Sequence, residues 1–276
     1  MIRIAKLSAR LEQLWWAIIS DRGDGHKSGI RKVNIKGTNL RFAVLDGDTA
    51  DQIQQHYEEE VYEYIMKMPE GAVFFDLGAS IGNFSLFSAA HGLKTYAFEP
   101  DPKNFEALEL NGRANAFTEL RTFQIAISDG VSSHGVLMSN SKKQRYGDHH
   151  KVLKVLENSA HPSVLDHLDT EHTVRTLSLD QAIEQLKLPV PDYMKIDIDG
   201  SEDAFFRGAV KTLADPKLKG FVIELYKESP CYSRLLQTLA DANFELKAEF
   251  QITSAGQLDP GLFNMEYVRR ADRTSL

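Results

Sequence analysis

The chain has 276 residues, of which 42% are hydrophobic and 26% charged, with a formal net charge of −7 and a pI near 5.7. That length can bury a sizeable core as one globular unit, and the acidic balance argues against nucleic acid as a partner, which normally leaves a basic footprint. A single cysteine, Cys231, leaves no disulfide framework and no cysteine-based metal site, so a reducing, cytoplasmic setting is expected, and no apolar run is long enough for a transmembrane segment.

At the N-terminus, Arg3, Lys6 and Arg10 lead into Leu11, Leu14, Trp15, Trp16, Ile18 and Ile19. Glu12 and Gln13 interrupt the apolar part and no small-residue cleavage site follows, so the segment reads as an amphipathic helix and not as a secretory signal. Its Trp-rich face is expected to pack on the domain; a homo-oligomer contact or a membrane surface are its other uses. Residues 21–29 form a polar, glycine-rich linker, and residues 32–44 alternate like a hairpin around Lys36-Gly37-Thr38-Asn39. Residues 1–50 are thus read as an N-terminal helix and hairpin extension, and residues 51–276 as the main domain. A helical pattern over 51–68 is closed by Pro69.

The most informative stretch follows. Val73 to Phe75 is an apolar run suited to an inner parallel strand, and it leads through Asp76, Gly78, Ala79, Ser80 and Gly82 into a helical period at Ile81, Phe84, Ser85, Phe87 and Ser88. Glycines here let the backbone turn tightly and approach a ligand. The next strand, over 95–98, ends in Glu99 and Pro100, at the offset where a second parallel strand sets a carboxylate against a ribose diol. The loop is not G-x-G-x-x-G, which disfavours a dinucleotide, and no Gly-Lys-Ser/Thr follows it, which excludes a P-loop.

Asp101-Pro102 caps a helix running to about residue 114. Residues 121–128 read as a third strand, 180–186 as a helix, 193–198 as a fourth strand, 201–213 as a helix and 220–226 as a fifth strand; a helix over 233–242 precedes two strands at 244–250 and 264–269. Strands alternating with helices imply a parallel sheet covered on both faces, whose C-terminal strand ends share one edge. That edge gathers Asp76, Glu99, the turn at Ala126 to Asp129, Asp197 with Asp199, and Glu224. Asp197 lies in an otherwise apolar strand and needs a partner if buried; Lys195, two residues earlier on the same face, can provide it. Glu202 and Asp199 read equally well as helix-capping acids.

The segments DLGASIGNFSL, AFEPDPKNFEALELN, IAISD, TLSLDQAIEQL and KIDIDGSEDAFFRGA, with the acidic Tyr57-Glu58-Glu59-Glu60 stretch, together resemble the FkbM family of methyltransferases. Asp199 stands where relatives commonly carry Glu. The resemblance implies an α/β, Rossmann-like class I methyltransferase fold, with a mostly parallel seven-stranded sheet and helices on both faces. It implies S-adenosylmethionine as cofactor, with the glycine loop along its methionine part and Glu99 on its ribose. The cofactor-contacting set is then Asp76, Gly78, Ala79, Ser80, Gly82, Asn83, Phe84, Glu99, Pro100, Ala126 and Asp197. It also implies O-methylation of a hydroxyl on a sugar, glycan, glycolipid or secondary metabolite.

Asp197 or Glu224 is expected to take or orient the acceptor proton, with Lys195 tuning the local charge. A divalent metal on Asp197, Glu224 and Asp199 ranks behind metal-free catalysis. Residues 130–176 form a long insertion holding His134, His149, His150, His161, His167 and His172, whose spacing fits no zinc signature. With Lys142, Lys143, Arg145 and Tyr146 it is assigned to acceptor recognition as a lid, with helix over 151–156. A non-catalytic binding protein on the same fold, and an N- or protein-methylating enzyme, are the alternatives; the Asn/Asp-Pro-Pro-aromatic motif of amine methylation does not follow the fourth strand.

Overall fold

The computed structural model describes residues 29–45, 58–139, 150–153, 171–198, 200–229, 231–254 and 257–270. The N-terminal helix, most of the linker, Lys142, Lys143, Arg145, Tyr146, His149, His161, His167 and Asp199 lie outside them. The described elements are β1 (Gly29–Ile35), β2 (Thr38–Val44), α1 (Glu59–Met66), β3 (Val73–Leu77), α2 (Asn83–Ala90), β4 (Lys94–Phe98), α3 (Pro102–Asn115), β5 (Leu120–Phe123) and β6 (Ala126–Ser128). They continue with β7 (His134–Ser139), β8 (His150–Leu153), β9 (Glu171–Ser178), α4 (Leu179–Gln185), β10 (Tyr193–Ile196), α5 (Glu202–Gly208), α6 (Val210–Ala214), β11 (Gly220–Tyr226), α7 (Tyr232–Asp241), β12 (Phe244–Ser254) and β13 (Gln257–Arg269). No helix among the described residues is long and apolar enough to cross a membrane.

The main sheet has seven strands in the order β12-β13-β11-β10-β3-β4-β5. β5, β4, β3, β10 and β11 run parallel, and only β13 opposes its neighbours. The chain builds outward from β3 to β5 and then returns to lay β10 on the other side of β3. That reversal opens a crevice at the C-terminal ends of β3 and β10, where α/β sheets bind ligands.

Strand alternation sorts the side chains onto two faces. Val73, Phe75, Leu77, Met194, Ile196 and Ile223 face one core, shared with α4 to α7, whereas Phe74 and Val222 face the other, shared with the β1–β2 hairpin and α1 to α3. Period two therefore also points Asp76, Lys195 and Glu224 toward the α1–α2 side. The polar groups of the site occupy strand positions that would otherwise be core.

Four local expectations are corrected. The strand expected over 121–128 is two strands: a tight turn with Ile125 N–H on the Phe123 carbonyl (3.0 Å) breaks it, and β6 leaves for a second sheet ordered β6-β9-β7-β8. The 130–176 insertion thus carries strands, and β8 replaces the start of the helix expected over 151–156, because His150 to Leu153 pairs antiparallel with Val136 to Ser139. The helix expected over 201–213 is broken at Ala209. Gly208 lets it press on β6, since a Cβ there would lie 2.3 Å from the Ser128 carbonyl oxygen, and Asp180 caps the second segment by accepting from Lys211 and Thr212 N–H at 2.8 and 2.9 Å. The final hairpin extends well beyond the expected 244–250 and 264–269, through β12 and β13.

Asn111 on α3 pins the hairpin and the glycine loop to the same helix. Wholly buried, it accepts from Ala43 N–H and donates to the Ile81 carbonyl, both at 2.7 Å. Asn111→Leu strands both backbone groups and should lower stability by roughly 2–4 kcal/mol in urea unfolding.

Candidate active site

The loop after β3 turns through left-handed backbone at Gly78 (φ 80°), Ser80 (φ 50°) and Gly82 (φ 97°). Gly78 is required sterically: a Cβ there would lie 1.7 Å from the Asp197 carbonyl oxygen, because Asp197 N–H continues the β3–β10 pairing to the Leu77 carbonyl at 3.0 Å. Gly78 and Ala79 N–H both donate to the Phe98 carbonyl, at 2.9 and 3.0 Å, which locks the loop to the end of β4. Ser80, a non-glycine residue with positive φ, is held by its N–H donating to Glu99 Oε2 at 2.7 Å.

Glu99 is almost wholly buried and accepts from Asp101 N–H through its other oxygen at 2.8 Å. Burial pushes its carboxyl up to about 8, against those two N–H groups and the distant Lys195. Asp76, fully buried, accepts from Ser85 Oγ through Oδ2 at 2.5 Å, while its Oδ1 and the buried Asn83 Oδ1 at the start of α2 have no partner among the described residues. Both atoms are acceptors, so the missing groups are donors.

The centre of the site is Lys195. Its buried ammonium donates to Asp197 Oδ2 at 2.9 Å and to the Gly78 carbonyl at 3.2 Å, and stands 5.2 Å from the centre of the Phe84 ring. The partnership expected between Lys195 and Asp197 is thus present. Burial opposes the charge on Lys195, but Asp197, Asp76 and Glu58 together hold its pKa well above the ordinary lysine value. Burial raises the pKa of Asp76, and Lys195 opposes that rise.

Carboxylate oxygens of Glu58, Asp197 and Glu224 lie within 4.8 Å of one another, close enough to share a cation, and Asp197 of the three is paired with Lys195. Glu58 precedes α1 without capping it. Its side chain instead accepts from Asn264 Nδ2 at 3.3 Å, and the same amide donates to Glu60 Oε1 at 2.9 Å. Burial pushes the Glu58 carboxyl up to about 7, opposed first by Lys195 and reinforced by Asp197. Tyr62 packs its ring on Phe84 at 4.8 Å and walls this corner.

The structure therefore joins Asp76, Gly78, Lys195, Asp197 and Glu224 at the crevice, with Glu99 linked through Ser80. Pro100 is half-buried after β4, whereas Ala126 is buried in β6 of the smaller sheet, and the turn after it runs to α5, where Asp129 faces Arg207 at 3.3 Å. Sequence reasoning assigned no role to Glu58 and did not single out Asn264. The signal for Asn264 was a buried amide in the apolar alternation of Phe263, Met265 and Tyr267; for Glu58 it was the acidic stretch ahead of the glycine loop.

A parallel sheet with one reversed strand near its edge, a glycine loop at the switch point and an acid ending the next strand define a Rossmann-like S-adenosylmethionine-dependent methyltransferase. Residues 76–246, well over half the chain, match the methyltransferase FkbM domain, and the chain belongs to that family. It is also similar to the hexuronic acid methyltransferase AglP of Haloferax volcanii, 25% identical over 182 residues that cover 65% of this chain and 68% of that one. Among solved structures it resembles precorrin-6y C5,15-methyltransferase from Geobacter metallireducens at 9% identity and a TM-score of 0.45, covering 77% of this chain and 89% of that one. TYW2 of M. jannaschii in complex with AdoMet is similar at 14% identity and a TM-score of 0.43, with 89% of each chain covered.

Two outcomes test this geometry. Gly78→Ala should abolish S-adenosylmethionine binding in calorimetry, whereas Gly37→Ala, also at positive φ (86°) but with open space around its Cβ, should cost only about 1 kcal/mol of stability. Glu99 has its folded pKa raised from 4.5 to about 8, so the folded state holds the extra proton between those values. Stability of the cofactor-free protein should therefore fall as pH rises across that window, by on the order of a few kcal/mol, and Glu99→Gln should flatten the slope measured by thermal unfolding.

Proposed function

We propose that the methyl group is delivered to a hydroxyl oxygen of a sugar, glycan, glycolipid or secondary metabolite. The observation that carries this reading is the carboxylate cluster of Asp197, Glu224 and Glu58 at the crevice, with the buried Lys195 ammonium paired to Asp197. A hydroxyl can donate to such carboxylates, and an alcohol must lose its proton before its oxygen carries a methyl group as a neutral ether. The Haloferax relative is a hexuronic acid methyltransferase, which supports a carbohydrate acceptor.

When bound, S-adenosylmethionine supplies an electrophilic methyl group on a sulfonium. The residues of the glycine loop fit it. Asp76 Oδ1 and Asn83 Oδ1 are buried acceptors in need of donors, and the ammonium of its methionine part offers donors. Glu99 retains acceptor capacity on each oxygen beyond Ser80 and Asp101 N–H, which suits two ribose hydroxyls. Gly78, Ala79, Ser80 and Gly82 in the loop and Phe84 in the first turn of α2, with Pro100, Ala126 and Asp197, make up the rest of the cofactor-contacting set.

Asp197, pinned by Lys195, and Glu224 on the neighbouring strand orient the acceptor hydroxyl, and Lys195 keeps the clustered acids from repelling one another. The half-exposed mouth of this corner and the smaller sheet of the insertion are assigned to acceptor choice. With labelled S-adenosylmethionine and a panel of saccharides, glycolipids and small alcohols, the wild-type protein should form a methyl ether. Asp197→Asn should lower turnover by at least about 100-fold while retaining a cooperative unfolding transition. Transfer to amines alone would sink the hydroxyl reading, and wild-type turnover in Asp197→Asn would remove Asp197 from the chemistry.

A further inference from the structure

Three carboxylates meet at the crevice, and their surroundings differ. Asp197 is committed to Lys195, accepting from its ammonium at 2.9 Å. Glu58 is placed differently. It stands at the N-cap position of α1, not at the strand edge, and its side chain makes no capping hydrogen bond to that helix. Its carboxylate reaches across to β13 and accepts from the neutral amide of Asn264 at 3.3 Å. That amide is itself oriented, because Glu60 accepts from the same nitrogen at 2.9 Å and Asn264 is buried opposite Glu224 in the β11–β13 register.

We propose that Glu58 is the general base that takes the proton from the acceptor hydroxyl. The proposal rests on the hydroxyl-acceptor reading above and adds a residue to it. The acceptor O–H proton passes to a Glu58 carboxylate oxygen. The oxygen lone pair forms the new O–CH3 bond as the S–CH3 bond breaks, and that bond's electrons return to sulfur, which leaves as a neutral thioether. Atoms and charge balance: one sulfonium charge and one carboxylate charge disappear together. Glu58 is partly exposed, so the proton has an exit to solvent afterwards.

The groups facing Glu58 are Lys195 and Asp197 at β10, Glu60 and Tyr62 on α1, Asn264 on β13 and Glu224 on β11. Lys195 and the Asn264 amide favour its ionised form, while burial and the neighbouring acids oppose it more strongly. The net result is a carboxyl poised near neutrality, where a general base works best.

The test compares wild type, Glu58→Gln, and Glu59→Gln as a neighbouring exposed control. It is read by methyl transfer to a hydroxyl acceptor, by calorimetry with S-adenosylhomocysteine, and by carbon-detected NMR titration of the glutamate carboxyls in the cofactor-free protein. Glu58→Gln should keep its fold and its cofactor affinity and lose roughly 100- to 10,000-fold in turnover, together with the limb of the pH–rate profile near 7. The carboxyl signal missing in that variant should titrate near 7 in wild type, and Glu59→Gln should behave as wild type. If wild type methylates a hydroxyl and Glu58→Gln does so at the same rate with the same pH profile, the assignment of Glu58 falls and the hydroxyl reading stands. A Glu58 signal titrating in the ordinary carboxylate range overturns the assignment equally. If wild type binds cofactor but methylates no hydroxyl, the reading of the acceptor falls and the assignment falls with it.

Discussion

A lysine ammonium buried at the centre of a parallel sheet is the constraint on which the rest of the site depends. Desolvating a cation costs several kcal/mol unless it is paired and hydrogen-bonded. Lys195 meets that demand with Asp197 on its own strand end and the Gly78 carbonyl on the next, and Asp76 lies opposite it in the β3–β10 register. The requirement runs in both directions. Without Lys195, Asp76, Asp197 and Glu58 would be like charges confined to one corner, and at least one would take up a proton. The ammonium therefore sets the charge state of the site as well as the junction between β3 and β10.

The glycine loop is held by equally specific ties, and each comes from a different part of the fold. Gly78 is fixed by the β10 backbone, Ala79 by the end of β4, Ser80 by the Glu99 carboxylate and Ile81 by Asn111 of α3. A loop anchored at four consecutive residues is preformed for its ligand and does not need to be ordered by it, which spares binding free energy. The same ties explain why β1 and β2 matter to a site they do not touch. The hairpin shares Asn111 with the loop, so loosening one exposes the other's hydrogen-bonding groups.

Much of this was legible in the sequence because the governing interactions are local. The strand over 220–226, the 73–84 strand-loop-helix, the Asp101 cap and the Lys195–Asp197 pair all follow from period, glycine placement and residues two to four apart. What was missed depends on contacts that sequence order conceals. Glu58 meets Asn264 across 206 residues, and nothing near either residue announces the other. The smaller sheet was hidden for another reason: β7, β8 and β9 are rich in histidine, serine and charged residues, so they lack the apolar alternation that identifies a strand facing a core. The break after β5 was hidden because Arg121 to Ser128 keeps high strand propensity throughout, and only the turn at Gln124 and Ile125 redirects it.

The division of labour among the carboxylates follows from what a fixed charge can and cannot do. A carboxylate already bonded to a fixed ammonium can hold and orient a hydroxyl, and so acts on the reaction by positioning. Asp197 is such a group, held by Lys195. Taking the proton is a separate task, and a group that gains it as the oxygen gains a methyl supplies an interaction that grows as the reaction proceeds. Such a group must not be neutralised in advance by a cation at hydrogen-bonding distance, and it must be basic enough to compete for the proton. The cluster separates these roles by geometry: one acid is tied to the lysine, and another is tied to an amide that can orient it without supplying a compensating charge. A single lysine placed off-centre among several acids is enough to make chemically identical side chains unequal.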